Sequence, residues 1–494
     1  MHDNVTDGGN MSMQARPGAT NQTASMVRAS KAVGALLVAI ALTGCASASP
    51  SASAPGSAAS SAASDPDAIR IGAVFPLHGN AAGLAAQELR GVQIAAEFAN
   101  ADGGIGGRRV IVDVRDLASR DDAATVMAQL KAEGVGVVVG AYSSDLSMAA
   151  SEAADEAGLV YWEAGAVADQ LTGRGLPMVF RVGASGTNLG SNSASFAARV
   201  LTPRLGKASR AALRLAIVAA EDDYARSVAD AAAKAAGSAG LDIVTRQSYN
   251  LTLPQWPKLM AELVRQLPDV VILASHIPDG IAFRRAMLAS GLRVGALIGS
   301  TMAECDPDFA GELGPDAVGV FASDRPTGGF QPSALSGAAR ATYDRFASAW
   351  TVGAAPASPK SGYRGDGSGY GSGGGSEYTI TGPTEAGTPA AGPTEEGLSG
   401  FSATWPLVHE VLPAALARGD LGPAGIATAA RGLDLPEGSL PNGAGLRFST
   451  EPATLGQNER AAAVIWQWQA IRSYTFVWPP TYATGSVGFV PLSR

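Results

Sequence analysis

The sequence predicts an α/β protein of two lobes, each a parallel sheet covered by helices on both faces. Two observations carry this. Continuous apolar runs, not alternating ones, recur between alanine-rich segments of helical pattern, as strands buried on both faces alternate with crossover helices. The chain between its low-complexity tracts, about 400 residues, is also too long for one hydrophobic core and divides naturally in two. In open parallel sheets a ligand binds beyond the C-terminal strand ends.

The elements follow in order. The strand runs are "IRIGAVF", "RRVIVDV", "GVGVVVGAY", "LRLAIVAA", "DVVILAS" and "RVGALIGS". The helical segments between them are "ELRGVQIAAEFANA", "DDAATVMAQLKAEG", "SDLSMAASEAADEAG", "SVADAAAKAAGSAG" and "PQWPKLMAELVRQL". Two tracts interrupt the pattern. Residues 46–67 are a Ser/Ala/Pro tether with nothing to bury, and residues 353–400 read as a disordered surface insertion. The formal net charge of -8, without a basic block, excludes a nucleic-acid partner, which demands clustered Lys and Arg. No G-x-S-x-G elbow, phosphate loop or H-E-x-x-H motif is present.

The chain has 2 cysteines, Cys45 and Cys305. Residues 32–42 form an apolar run too short to span a bilayer, preceded by Arg28 and Lys31, the layout of an export signal. The run ends in Leu42-Thr43-Gly44-Cys45, which resembles the lipobox of bacterial lipoproteins. That resemblance implies cleavage before Cys45, acylation of its thiol, and anchoring at the outer face of the cytoplasmic membrane. Met26 is an alternative start to Met1, since Met26-Val27-Arg28 opens a more ordinary signal peptide. With Cys45 acylated, Cys305 has no partner, which excludes a disulfide framework and a structural cysteine–metal site.

From "IGAVFPLHGNAAGLAAQELRGVQIAAEFANADGGIGGRRVIVDVRDLASRDDAATVMAQL" onward the chain resembles the leucine/isoleucine/valine-binding protein family, the type I periplasmic substrate-binding proteins of ABC importers. The matching features are Pro76-Leu77, the loop 78–83, Asn100, "GGIGG" at 103–107 and Asp116. Further matches are "VGAYSS", "VFRVG", "EDDYARSVADAAAKAAG", "ASHIPDGIAFRRAMLASGL" and "AVIWQWQA". The likeness runs over 69–343 and 401 to about 480. It implies two Rossmann-like lobes joined by a hinge, lobe 1 from 68–184 and 318–448, lobe 2 from 185–317 and 449–484, and a tail at 485–494. The glycines of "GGIGG" lie between helix and strand, not between strand and helix, so they suit a tight turn and not a dinucleotide cofactor.

Candidate ligand residues cluster after the strand runs. Ser143 and Ser144 stand where a helix begins, where free N–H groups and the helix dipole attract an anion. The resemblance implies that Ser144 holds a ligand carboxylate; a plain N-cap serine is the other reading. Gly165 and Val167 occupy positions where the family contributes backbone and a threonine hydroxyl, and Val167 has no hydroxyl to offer. Glu163 either faces the cleft as an ammonium partner or is solvated at its rim. The resemblance places Tyr224 against the ligand from the second lobe, with Asp279 near an acidic position. His78 and His276 follow strands and could face one another, but two histidines make a poor metal site.

The sequence therefore predicts a non-enzymatic, lipid-anchored solute receptor for an amino acid, amide or related carboxylate, partnered by importer membrane subunits. The family's usual amino-group partners are missing at 184–187 and at Ser300 and Thr301, so Glu163 or Asp279 replaces them or the ligand lacks an α-amine. A sensory receptor of the same fold and an enzyme using cleft carboxylates are the alternatives.

Overall fold

The apolar runs become the strands of two sheets. The structure is a computed structural model and describes residues 65, 67–79, 81–301, 307–352, 392–471 and 473–492. The first sheet holds β1 (Ile69–Phe75), β2 (Val110–Asp116), β3 (Val137–Gly140), β4 (Val160–Glu163) and β5 (Val179–Arg181), all parallel in the order β2-β1-β3-β4-β5. Its crossovers carry α1 (Ala82–Ala101), α2 (Ala123–Ala132), α3 (Ser144–Ala157) and the short α4 (Gln170–Gly173).

The second sheet holds β6 (Arg214–Ala220), β7 (Asp242–Tyr249), β8 (Val270–Ala274), β9 (Ala296–Ser300), β10 (Phe321–Asp324), β11 (Val464–Ala470) and β12 (Ser473–Trp478). Their order is β12-β11-β10-β9-β8-β6-β7. The helices α5 (Gly186–Phe196), α6 (Thr202–Arg204), α7 (Asp223–Ala239), α8 (Trp256–Gln266), α9 (Ile277–Ser290) and α10 (Pro307–Leu313) belong to this stretch of chain. Then come α11 (Gly337–Val352), α12 (Glu395–Pro406), α13 (Leu412–Ala417) and α14 (Pro423–Arg431).

Strand periodicity builds the core. Val137 and Val139 of β3 pack in the layer under α1 and residues 403–448, while Val138 packs in the layer under α2 and α3. Every residue of β3 and of β8 is buried, so both faces are covered and the runs read as continuously apolar. In α1 the buried positions Ala85, Glu88, Leu89, Val92, Ala96 and Ala99 recur at helical spacing, one stripe facing the core. Along that stripe α1 and α12 touch backbone to backbone. A Cβ on Gly91 would lie 2.1 Å from the Gly397 carbonyl, and one on Gly400 2.1 Å from that of Glu88.

Four expectations change. The segment after 318 joins the second sheet, because β10 pairs with β9 and β11; the range 318–448 is not all of lobe 1. Residues 449–458 stay with the first sheet, where Arg181 bridges Gln457. The β11–β12 hairpin is antiparallel, so the second sheet is mixed, as sheets with an added edge often are. The expected insertion ends early: Thr394 caps α12 by accepting from Gly397 N–H at 3.2 Å, and 392–400 is ordered. The chain thus passes between the lobes at 182–185, again after β10, and at 461–463. Residues 485–492 pack on the second sheet, with Leu492 N–H donating to Gly295. Met26, Cys45, Cys305, residues 46–64 and residues 353–391 lie outside the described residues. No described helix is long and apolar enough to cross a membrane.

Candidate ligand cleft at the strand ends

The C-terminal end of β3 turns directly into α3. Tyr142 takes φ 75, a left-handed conformation uncommon for a non-glycine, just before the helix cap. Ser143 is the N-cap and accepts from Leu146 N–H at 3.3 Å, and Ser147 accepts from Ala141 N–H at 2.9 Å. Ser144 is buried, and its Oγ accepts from Ala168 N–H at 3.1 Å. A hydroxyl that accepts from the backbone still has its own proton to donate. At the start of a 14-residue helix that proton and the free first-turn N–H groups together suit an anion.

The loop after β4, residues 164–169, is held at nearly every peptide. Gly165 and Ala166 N–H donate to Glu163 Oε1, each at 2.7 Å, and Asp169 N–H donates to Ser227 Oγ of α7 at 3.0 Å. The Val167 carbonyl accepts from Gly186 N–H at 2.7 Å. Arg325 donates through Nη1 to the Gly165 carbonyl, and Arg181 donates through Nη1 to those of Ala168 at 2.6 Å and Ala166 at 3.4 Å. In this run the N–H groups of Ala164 and Val167 have no partner among the described residues.

Glu163 is therefore neither solvated at a rim nor free for a ligand. It is fully buried, and Tyr161 O–H donates to its second oxygen at 3.1 Å. Burial pushes its carboxyl above the ordinary range, against the pull of these donors. Beside it lies Glu88 of α1, also fully buried, whose two carboxyl oxygens find no hydrogen-bond partner among the described residues. A Cβ on Gly165 would sit 2.1 Å from Glu88 Oε2, so any side chain there would push the Glu88 carboxyl aside. Burial first, then Glu163 and Glu395, raise Glu88 well above the ordinary range; Arg325 opposes them. Arg325 pairs with Glu395, its Nη2 at 3.0 Å from Oε2 and its Nε 2.5 Å from Oε1. Burial works against its charge, but Glu395, Asp324 and Glu88 outweigh burial and raise its pKa.

The second sheet contributes a separate cluster. Tyr224 at the start of α7 is buried, its hydroxyl donating to the Ser275 carbonyl at 3.2 Å and contacting that of Ser300, with Thr301 donating to it at 2.7 Å. It ties the ends of β8 and β9, and its ring meets His276 edge-on at 5.2 Å. His276 Nε2 lies 2.6 Å from Asp222. Burial lowers the His276 pKa, but Asp222 and Asp279 outweigh it and the net shift is upward. Asp279 caps α9 by accepting His276 N–H and also accepts from Tyr249 O–H. His78 is exposed, Nδ1 2.8 Å from Asp116. Each histidine thus pairs with a carboxylate of its own lobe.

Ser144, Glu163 and Gly165 belong to one hydrogen-bonded network around the loop that carries Val167, and Tyr224, His276 and Asp279 belong to another. Arg181, Arg325, Glu88, Glu395 and Ser227 were not among the candidates. Some signal was available: Arg181 ends the short apolar run "VFR", and Glu88 is a charge within the apolar stripe of α1, whereas Arg325 follows the mixed stretch "FASD". Glu395 lay in the low-complexity tract and carried none.

Three kinds of comparison bear on the family and the fold. A family model described as periplasmic binding protein matches residues 68–364. A Leu/Ile/Val-binding protein homolog of Brucella abortus is 28% identical over 424 residues, covering 85% of this chain and 93% of that one. A second such homolog, from Brucella melitensis, is 30% identical over 233 residues, 47% of this chain and 58% of that one. Among solved structures, the branched-chain amino acid transporter substrate-binding protein of Streptococcus pneumoniae, in complex with isoleucine, superposes with TM-score 0.61 at 16% identity, covering 83% of this chain and 100% of that one. A leucine-binding protein of Thermotoga maritima gives TM-score 0.61 at 17% identity, covering 83% and 98%.

Proposed function

Because the chain belongs to the periplasmic binding protein family, we propose that it is a lipid-anchored solute receptor that delivers a small ligand to the membrane subunits of an ABC importer. The ligand sits between the lobes and is an amino acid, amide or related carboxylate; the cleft favours a carboxylate. The observation that carries this is a pair of donors, the Ser144 hydroxyl and the Val167 N–H, beside the start of α3. Val167 lacks the hydroxyl that the family resemblance implies, so its part is played by backbone. Tyr224 walls the opposite side, and closure of the lobes follows from contacts to both. The relatives' names support the amino-acid class.

The ammonium has less support. Glu163 and Asp279 both spend their oxygens on internal donors. A carboxylate without an α-amine is therefore expected to bind within about tenfold of the amino acid, a difference of about 1.4 kcal/mol. Calorimetric titration of the chain from residue 46 with L-leucine, 4-methylpentanoate and leucinamide tests the reading. The two carboxylates should bind one to one, and Ser144→Ala should weaken them at least tenfold, the scale of a lost hydrogen bond to a charge. Unchanged affinity in Ser144→Ala, or no binding of either carboxylate, would overturn it.

A further inference from the structure

The loop 164–169 reads Ala-Gly-Ala-Val-Ala-Asp. Five of its six side chains are too small or too apolar to hold its own backbone, so its shape must be imposed from outside. Glu163, Ser144 and Ser227 accept from its amides, and two buried arginines hold three of its carbonyls. Arg181 ends β5, 1% exposed, and Arg325 follows β10, 5% exposed. A guanidinium taken out of water is costly unless its donors are satisfied, and here the satisfying acceptors include three carbonyls of this loop.

We propose that Arg181 and Arg325 are positioning residues for ligand binding: they turn the carbonyls of loop 164–169 away from the cleft and so present the Val167 N–H and the Ser144 hydroxyl to the ligand. This rests on the reading that the loop meets the ligand. Both arginines stand where the chain passes between lobes. Arg325 is the first residue after β10 in the second sheet, and Glu395 at the start of α12 fixes its other edge. Arg181 Nε also donates to Gln457 Oε1 at 2.6 Å. Gln457 and its neighbour Asn458 donate in turn to the carbonyls of Gly183, at 3.4 Å, and Val182, at 2.9 Å. The crossing at 182–185 is thereby laced to the loop and to the segment that leads into the crossing at 461–463, and the crossing after β10 reaches the loop through Arg325. A rearrangement of the crossings would move the same carbonyls, which couples lobe geometry to ligand contact.

Only the planar fork of arginine serves several acceptors at fixed angles; lysine keeps the charge and loses the fork. Arg181→Lys and Arg325→Lys are therefore the informative variants, made separately so that either one alone decides if the other does not fold. Hydrogen exchange of the ligand-free protein is read on a peptide spanning 164–169 and on control peptides from β8 and β9. Binding of L-leucine and 4-methylpentanoate is then measured by calorimetry. Exchange in the loop should rise at least tenfold with the controls unchanged, and affinity should fall at least tenfold. Loop exchange at the wild-type rate would overturn the proposal, as would faster exchange with unchanged affinity. If neither compound binds the wild type while loop exchange still rises in the variants, the clamp stands and the ligand reading alone fails.

Discussion

Glu88→Gln is expected to remove the loss of stability that ionising Glu88 should cause as pH rises above about 4.5, the ordinary carboxyl value. The sign follows from where the proton is held. Burial and the neighbouring Glu163 raise the folded-state pKa of Glu88, so in the folded chain it keeps its proton while in the unfolded chain it ionises. Its contribution is complete below the unfolded value and is lost as pH climbs toward the raised folded one. The slope approaches about 1.4 kcal/mol per pH unit for one proton. The groups facing Glu88 are Glu163 after Tyr161 on β4, Arg325 after β10, Glu395 on α12 and Tyr142 before α3. Glu163 is shifted the same way, so some slope persists in the variant; the difference between the two proteins isolates Glu88. Urea midpoints from pH 4.5 to 8 measure it. Parallel curves would mean that Glu88 is already ionised in the folded state.

Gly91→Val should be the most damaging single change on α1. A Cβ there would stand 2.1 Å from the Gly397 carbonyl and 2.6 Å from Phe401 N, both backbone atoms of α12 that no side-chain rotation can move. Overpacking of this kind costs about 3 kcal/mol, far above the roughly 0.5 kcal/mol that valine gains over glycine in helix propensity. The two helices carry Glu88 and Glu395, so prying them apart also disturbs the charges around Arg325. Gly83, on the same helix, faces open space. Gly83→Ala should therefore be neutral or stabilising by up to about 1 kcal/mol. Denaturant unfolding of the two variants side by side checks the contrast; equal stabilities would mean that α1 and α12 do not pack as described.

The helix start at α3 was legible because its signals are local. An apolar run, two serines and an acid lie within a few residues, and α3 begins at the predicted Ser144. Strand runs such as "IRIGAVF" likewise became β1 without change. The β11–β12 hairpin was legible only in part, since "AVIWQWQA" reads as a strand without saying which neighbour it pairs with or in which direction. Glu163 shows the limit most sharply. From the sequence it is a charge at a strand end, and nothing local says whether it meets ligand, water or its own loop.

What the sequence determined by itself is the class of fold and the alternation of buried strands with helices, because each rests on periodicity and capping within a dozen residues. What only the tertiary structure decided is who partners the buried charges. Glu88, Glu163, Arg325 and Glu395 are brought together across more than 300 positions of chain. The role of a charge depends on the donors, acceptors and solvent around it, and those are supplied by residues that the local pattern never contains.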